Sequence, residues 1–132
     1  MSEQPGDPAG GAFAFKGKTG FTRVANAFFY SVAGLRAAFH SEAAFRQELL
    51  LAVILIPLAF FMPVGGIGKA LMIGSVLLVL IVELLNSAVE VLADRVSMET
   101  HDLIKKAKDI GSAAVLVALI NVPVVWLLVL FG

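Results

Sequence analysis

In Glu83-Leu84-Leu85-Asn86-Ser87-Ala88-Val89-Glu90-Val91-Leu92-Ala93-Asp94, the polar residues stand three, four, seven and eleven positions after Glu83. At about 3.6 residues per helical turn, those offsets fall within roughly a third of the circumference, so two glutamates, an aspartate, an amide and a hydroxyl share one stripe. The segment just upstream, from Lys69 to Val82, is almost wholly apolar. A helix of this kind belongs to a membrane. A charged side chain at the centre of a membrane helix costs about 2.5–3.5 kcal/mol on insertion scales, so such groups face protein or a wet cavity and mark function.

Working outward, composition agrees. The chain has 132 residues, 59% of them hydrophobic and 15% charged, which is far more apolar than an ordinary soluble domain and short enough for one domain. The formal net charge is zero, so no global basic field points to nucleic acid. Cysteine is absent, which excludes disulfides, zinc-thiolate sites and thiol catalysis. Residues 1–18 lack the apolar core of a signal peptide and read as a disordered tail, with residues 19–132 as the membrane domain.

The spacing predicts an all-α integral membrane protein with three spans, over about 43–64, 69–93 and 110–131. Pro57 and Pro123 lie inside the first and third, where they should kink or loosen the helix. Lys16, Lys18, Arg23, Arg36 and Arg46 precede the first span; Arg95, Lys105, Lys106 and Lys108 lie between the second and third; only Lys69 marks the first turn. By the positive-inside rule the N-terminus and second connector are cytoplasmic, and the C-terminus lies on the far side. Over about 20–46, Phe21, Val24, Ala25, Phe28, Val32, Leu35 and Phe39 share a helical face opposite Arg23, Asn26 and Tyr30. That pattern predicts an N-terminal amphipathic helix lying in the membrane interface.

If hydrocarbon begins near Lys69, Glu83 lies only roughly 8 Å inside the cytoplasmic boundary and Glu90 lies at it. The hydroxyl of a lipid alcohol sits at the first depth, and a water-soluble phosphate donor reaches the second. Phosphoryl transfer needs a metal and cations for the phosphate oxygens and a base for the attacking hydroxyl. Glu42 and Glu90 can supply metal oxygens, Arg23, Lys105, Lys106 and Lys108 the positive charge, and Glu83 the base. Lys105, Lys108, Asp109 and Ser112 also share a face, and the small residues Gly111-Ser112-Ala113-Ala114 allow close helix approach. Lys105 and Lys106 equally suit a solvated flank. Two glycine-rich runs are decoys: Phe15-Lys16-Gly17-Lys18-Thr19 lacks the first glycine and preceding strand of a phosphate loop, and Gly65-Gly66-Ile67-Gly68-Lys69 lacks the final Ser or Thr.

The run from Glu83 to Asp94 resembles the signature of the prokaryotic diacylglycerol kinase family, E-x-[LIVM]-N-[ST]-[SA]-[LIV]-E-x-x-V-D, with Ala93 in place of the usual Val. The resemblance extends to Gly20-Phe21-Thr22-Arg23, to Arg36-Ala37-Ala38, to Glu42 through Glu48, and to Ala107-Lys108-Asp109-Ile110-Gly111-Ser112. It implies a homotrimeric kinase of the bacterial inner membrane, with a periplasmic C-terminus, that uses ATP and Mg2+ to convert diacylglycerol to phosphatidic acid. By motif position it implies Glu83 as catalytic base and Glu42 with Glu90 as metal ligands. Arg23, Tyr30, Glu42, Glu90, Glu99, His101, Lys108 and Asp109 are then expected around ATP. Thr100, where a close relative has an aromatic residue, departs from the pattern between Glu99 and His101. Arg23, Glu48, Glu83, Asn86 and Ser112 are expected around the lipid.

Two other readings compete. Some members of the same family phosphorylate undecaprenol, although the Arg36 to Glu48 segment resembles the diacylglycerol branch. Alternatively the chain is a non-enzymatic membrane subunit whose acids only bind helices or conduct protons. Interhelical polar contacts average about 0.6 kcal/mol, which hardly offsets two buried carboxylates.

Overall fold

The computed structural model describes residues 16–96 and 101–132, with side chains from Gly20 onward. Helix α1 is Lys16–Ser41, α2 is Ala43–Phe61, α3 is Gly66–Arg95 and α4 is His101–Phe131. Helix α1 begins within the last residues of the expected 1–18 tail, and residues 1–15 lie outside the described part. The described residues divide into two units, one up to Ala37 and the other from Ala38 onward.

The surface helix expected to reach residue 46 stops instead at Ser41. Glu42 takes an extended backbone (φ −118°, ψ 108°) and begins α2 as its N-cap, without a side-chain capping bond. Arg46, one turn into α2, explains the break: its Nη1 donates to the carbonyls of Phe39 at 2.6 Å and His40 at 3.2 Å. Those carbonyls belong to the last turn of α1, where helices leave acceptors unsatisfied.

Helices α3 and α4, of 30 and 31 residues, are longer than the expected spans. At 1.5 Å per residue each is about 45 Å long, against about 30 Å of hydrocarbon, so hydropathy marks only their greasy part. The charged start of α4 stays helical, with Lys105 and Asp109 paired at 2.8 Å one turn apart. Both prolines are contained within continuous helices.

Helix α3 is the middle element of the second unit, packed against α2 on one side and more extensively against α4 on the other. The core joins Ala52 and Ala59 of α2, Met72 and Val76 of α3, and Trp126 of α4. Small alanines let α2 come close, and the indole fills the space against α4. Met72 O accepts from Trp126 Nε1 at 3.2 Å and from Ser75 Oγ at 2.7 Å. Two glycines set the α3–α4 approach. A Cβ on Gly68 would stand 2.9 Å from Val129 Cγ1, and one on Gly111 would overlap Asn86 Oδ1.

Elsewhere the unit turns its bulk outward: Leu50, Val53, Phe61, Leu85 and Leu128 are all exposed. Water would not tolerate so much contiguous apolar surface, whereas lipid tails solvate it. Three helices, α2 to α4, are long and apolar enough to cross a bilayer, so the chain is a multi-pass membrane protein.

Candidate active site at the charged end of the bundle

The stripe on α3 is buried at one end and open at the other. Glu83 is 4% exposed, Asn86 and Ser87 are each 7% exposed, Glu90 is half-buried and Asp94 is exposed. The inner turns of α3 face α2 and α4, whereas at its last turns Asp94 meets only the long side chain of Lys108 from α4.

Glu83 is approached from two directions. Ser87 Oγ, one turn along, donates to Glu83 Oε2 at 3.5 Å. From α2, the Glu48 carboxyl lies close enough to Glu83 for the two acids to act on each other electrostatically. Glu48 Oε1 is buried without a hydrogen-bond partner among the described residues. Glu90 and Glu42 lie close enough to act on Glu83 electrostatically, so acids from α2 and α3 gather around one point.

On α4, Lys108 reaches across to α3, with Nζ 2.6 Å from Asp94 Oδ1, while Asp109 pairs along its own helix with Lys105. Lys106, Asp102 and Ala113 share an open groove of about 320 Å³ with that pair. Ser112 and His101 are exposed on α4, and Glu99 lies outside the described residues. In the first unit, Arg23 and Tyr30 line another open groove of about 470 Å³ with Thr22, Asn26 and Ala27. Of the expected site residues, Glu42, Glu48, Glu83 and Glu90 thus converge, and Lys108 joins α3 at the open end of the stripe.

The acids suit a magnesium ion better than a closed protein cage. No group of three or more His, Asp or Glu among the described residues is arranged to hold a metal alone. Magnesium is usually held by one or two carboxylates together with substrate phosphates and water. Glu42 and Glu90 fit that donor set: Glu42 leaves its own helix end uncapped, and both are half-buried.

Two features escaped the sequence reading. The pairing of Glu48 with Glu83 joins different helices, so no spacing rule reveals it. The Arg46 clamp had a weak signal, a cation four residues after an acid at a helix start.

Comparison with known proteins points one way. Residues 29–130 match the family model of prokaryotic diacylglycerol kinase. The diacylglycerol kinase of Pseudomonas aeruginosa strain PAO1 is 58% identical over 118 residues, covering 89% of this chain and 96% of the relative. That of Haemophilus influenzae strain Rd is 53% identical over 113 residues, 86% of this chain and 96% of the relative. That of Escherichia coli K12 is 49% identical over 114 residues, 86% of this chain and 93% of the relative.

Proposed function

The chain belongs to the prokaryotic diacylglycerol kinase family and phosphorylates diacylglycerol, and from that premise we propose that Glu83 is the general base of an ATP- and Mg2+-dependent transfer at the cytoplasmic membrane face. The observation that carries this reading is the buried carboxyl of Glu83, which accepts from Ser87 and has the acids Glu42, Glu48 and Glu90 around it.

In the proposed reaction the lipid hydroxyl oxygen attacks the γ-phosphorus of ATP, its proton passes to a Glu83 carboxylate oxygen, and the bond to the β–γ bridging oxygen breaks to leave ADP. The protein's share is mostly positioning, because phosphoryl transfer needs little covalent help. Burial keeps water from competing for the lone pairs of Glu83 and from intercepting the phosphoryl group. Glu48 and Ser112 serve the lipid end of the site. Arg23, Tyr30, His101, Lys108 and Asp109 form the nucleotide end. Glu42 and Glu90 would hold magnesium, which when bound neutralises charge on the phosphate oxygens. The amphipathic α1 lies in the interface, and three copies assemble around shared sites.

The test is transfer of radiolabelled phosphate from ATP to diacylglycerol by purified protein in mixed micelles, comparing wild type with Glu83→Gln. The amide keeps size and shape but cannot accept the proton, so turnover should fall at least about 100-fold, within the usual worth of a general base. The oligomer should stay intact on gel filtration. Near-normal turnover removes Glu83 from the role, and a strong preference for undecaprenol over diacylglycerol overturns the lipid assignment.

A further inference from the structure

Asn86 sits one turn from both Glu83 and Glu90 on the stripe, at the edge of an apolar groove of about 460 Å³ that Leu85, Val89, Ala107, Ile110 and Gly111 also line. Asn86 is 7% exposed, and Oδ1 is buried with no hydrogen-bond partner among the described residues. That oxygen is aimed at Gly111 on α4, where even a methyl group would overlap it. The only group Gly111 can offer there is its Cα–H, a weak donor whose value is proximity. Three residues before Gly111 on the same helix is Lys108, which reaches Asp94 on α3.

We propose that Asn86 and Gly111 form a spacer: the amide seated on the bare Cα sets how closely the Lys108–Asp109 turn of α4 approaches the carboxylates of α3. Asn86 is then a positioning residue for the nucleotide end and no lipid contact, and Gly111 is its required seat. A larger residue at 111 forces the charged turn of α4 outward. A smaller one at 86 makes room again, since Asn86 Cβ lies 4.0 Å from the position of the added methyl, an ordinary contact, whereas Cγ lies at 3.2 Å. This inference rests on the reading that Lys108 and Asp109 receive ATP.

The experiment compares wild type, Gly111→Ala, Asn86→Ser and the double variant as full-length protein in nanodiscs. Spin labels on cysteines introduced at Leu92 and Leu103, both exposed, read the α3–α4 separation in samples diluted with unlabelled chains. Gly111→Ala should widen that separation and raise the KM for MgATP by about tenfold, within the coupling range of residues in contact, with the KM for diacylglycerol little changed. Adding Asn86→Ser should restore both the separation and most of the nucleotide KM. An unchanged separation in Gly111→Ala, or a double variant no better than the single, overturns the proposal. So does a raised KM for diacylglycerol in Asn86→Ser with the nucleotide KM untouched, which would make Asn86 a lipid contact. Lys108→Ala separates the two levels: an unaltered KM for MgATP there refutes the nucleotide reading, while the label distances still decide whether the spacer exists.

Discussion

At the scale of single residues, the least ordinary object is a pair of carboxyl groups, Glu48 and Glu83, meeting between two membrane helices. The pair makes Glu48 informative because its two nearest replacements differ in one property. Glu48→Gln can donate a hydrogen bond to Glu83 through its amide, whereas Glu48→Ala cannot. A hydrogen bond to a charged group is worth about 1.5–3 kcal/mol, so the alanine variant should turn over roughly 10- to 100-fold more slowly than the glutamine variant. Equal loss in both, measured by phosphate transfer, would show that the partner carboxyl itself is needed. For the metal, Glu42→Gln and Glu90→Gln each remove one anionic oxygen from the proposed magnesium ligands. Each should shift the magnesium requirement to higher concentration, read from rate against free magnesium, and an unshifted curve in either removes that residue from the ligand set.

At the scale of elements, α3 decides what the others do, since both of its neighbours pack on it. Apolar burial drives little association inside a bilayer, so close packing and hydrogen bonds must hold the helices together. The bond from Trp126 to the Met72 carbonyl is the one indole contact that combines both, at the end of the bundle away from the acids. Trp126→Phe keeps much of the volume and deletes the donor. It should lower stability by about 1 kcal/mol, seen as a lower midpoint of thermal unfolding in detergent, with turnover at low temperature retained. The elbow between α1 and α2 has its own device in Arg46, whose guanidinium satisfies carbonyls that the end of α1 would leave bare.

At the scale of the whole molecule, the question is which way the bundle faces. Four of the ten Lys and Arg residues fall between Arg95 and Lys108, and one, Lys69, follows the α2–α3 turn. By the positive-inside rule that asymmetry supports the proposed cytoplasmic orientation of the acids. The chain has no cysteine, so single labels are unambiguous. Gly65→Cys is well tolerated in space, as a Cβ there meets nothing within 4 Å, and Leu103 is exposed on α4. In intact spheroplasts a membrane-impermeant maleimide should label Gly65→Cys and spare Leu103→Cys, and the reverse pattern would put the acids on the side without ATP.

The sequence by itself determined the membrane class, the three apolar helices and the stripe on α3, because hydropathy and a 3.6-residue period are local properties that survive in any packing. It also carried the family, since the motif from Glu83 to Asp94 is contiguous. Helix ends were less legible: charged turns remain helical beyond the hydrocarbon, as α4 does from His101, and Arg46 ends α1 from the following helix. Only the tertiary structure decided which groups from different helices meet, namely Glu48 with Glu83, Lys108 with Asp94, and Asn86 with the bare Cα of Gly111. Those meetings depend on the rotation and spacing of whole helices, which many side chains set jointly and no single stretch encodes.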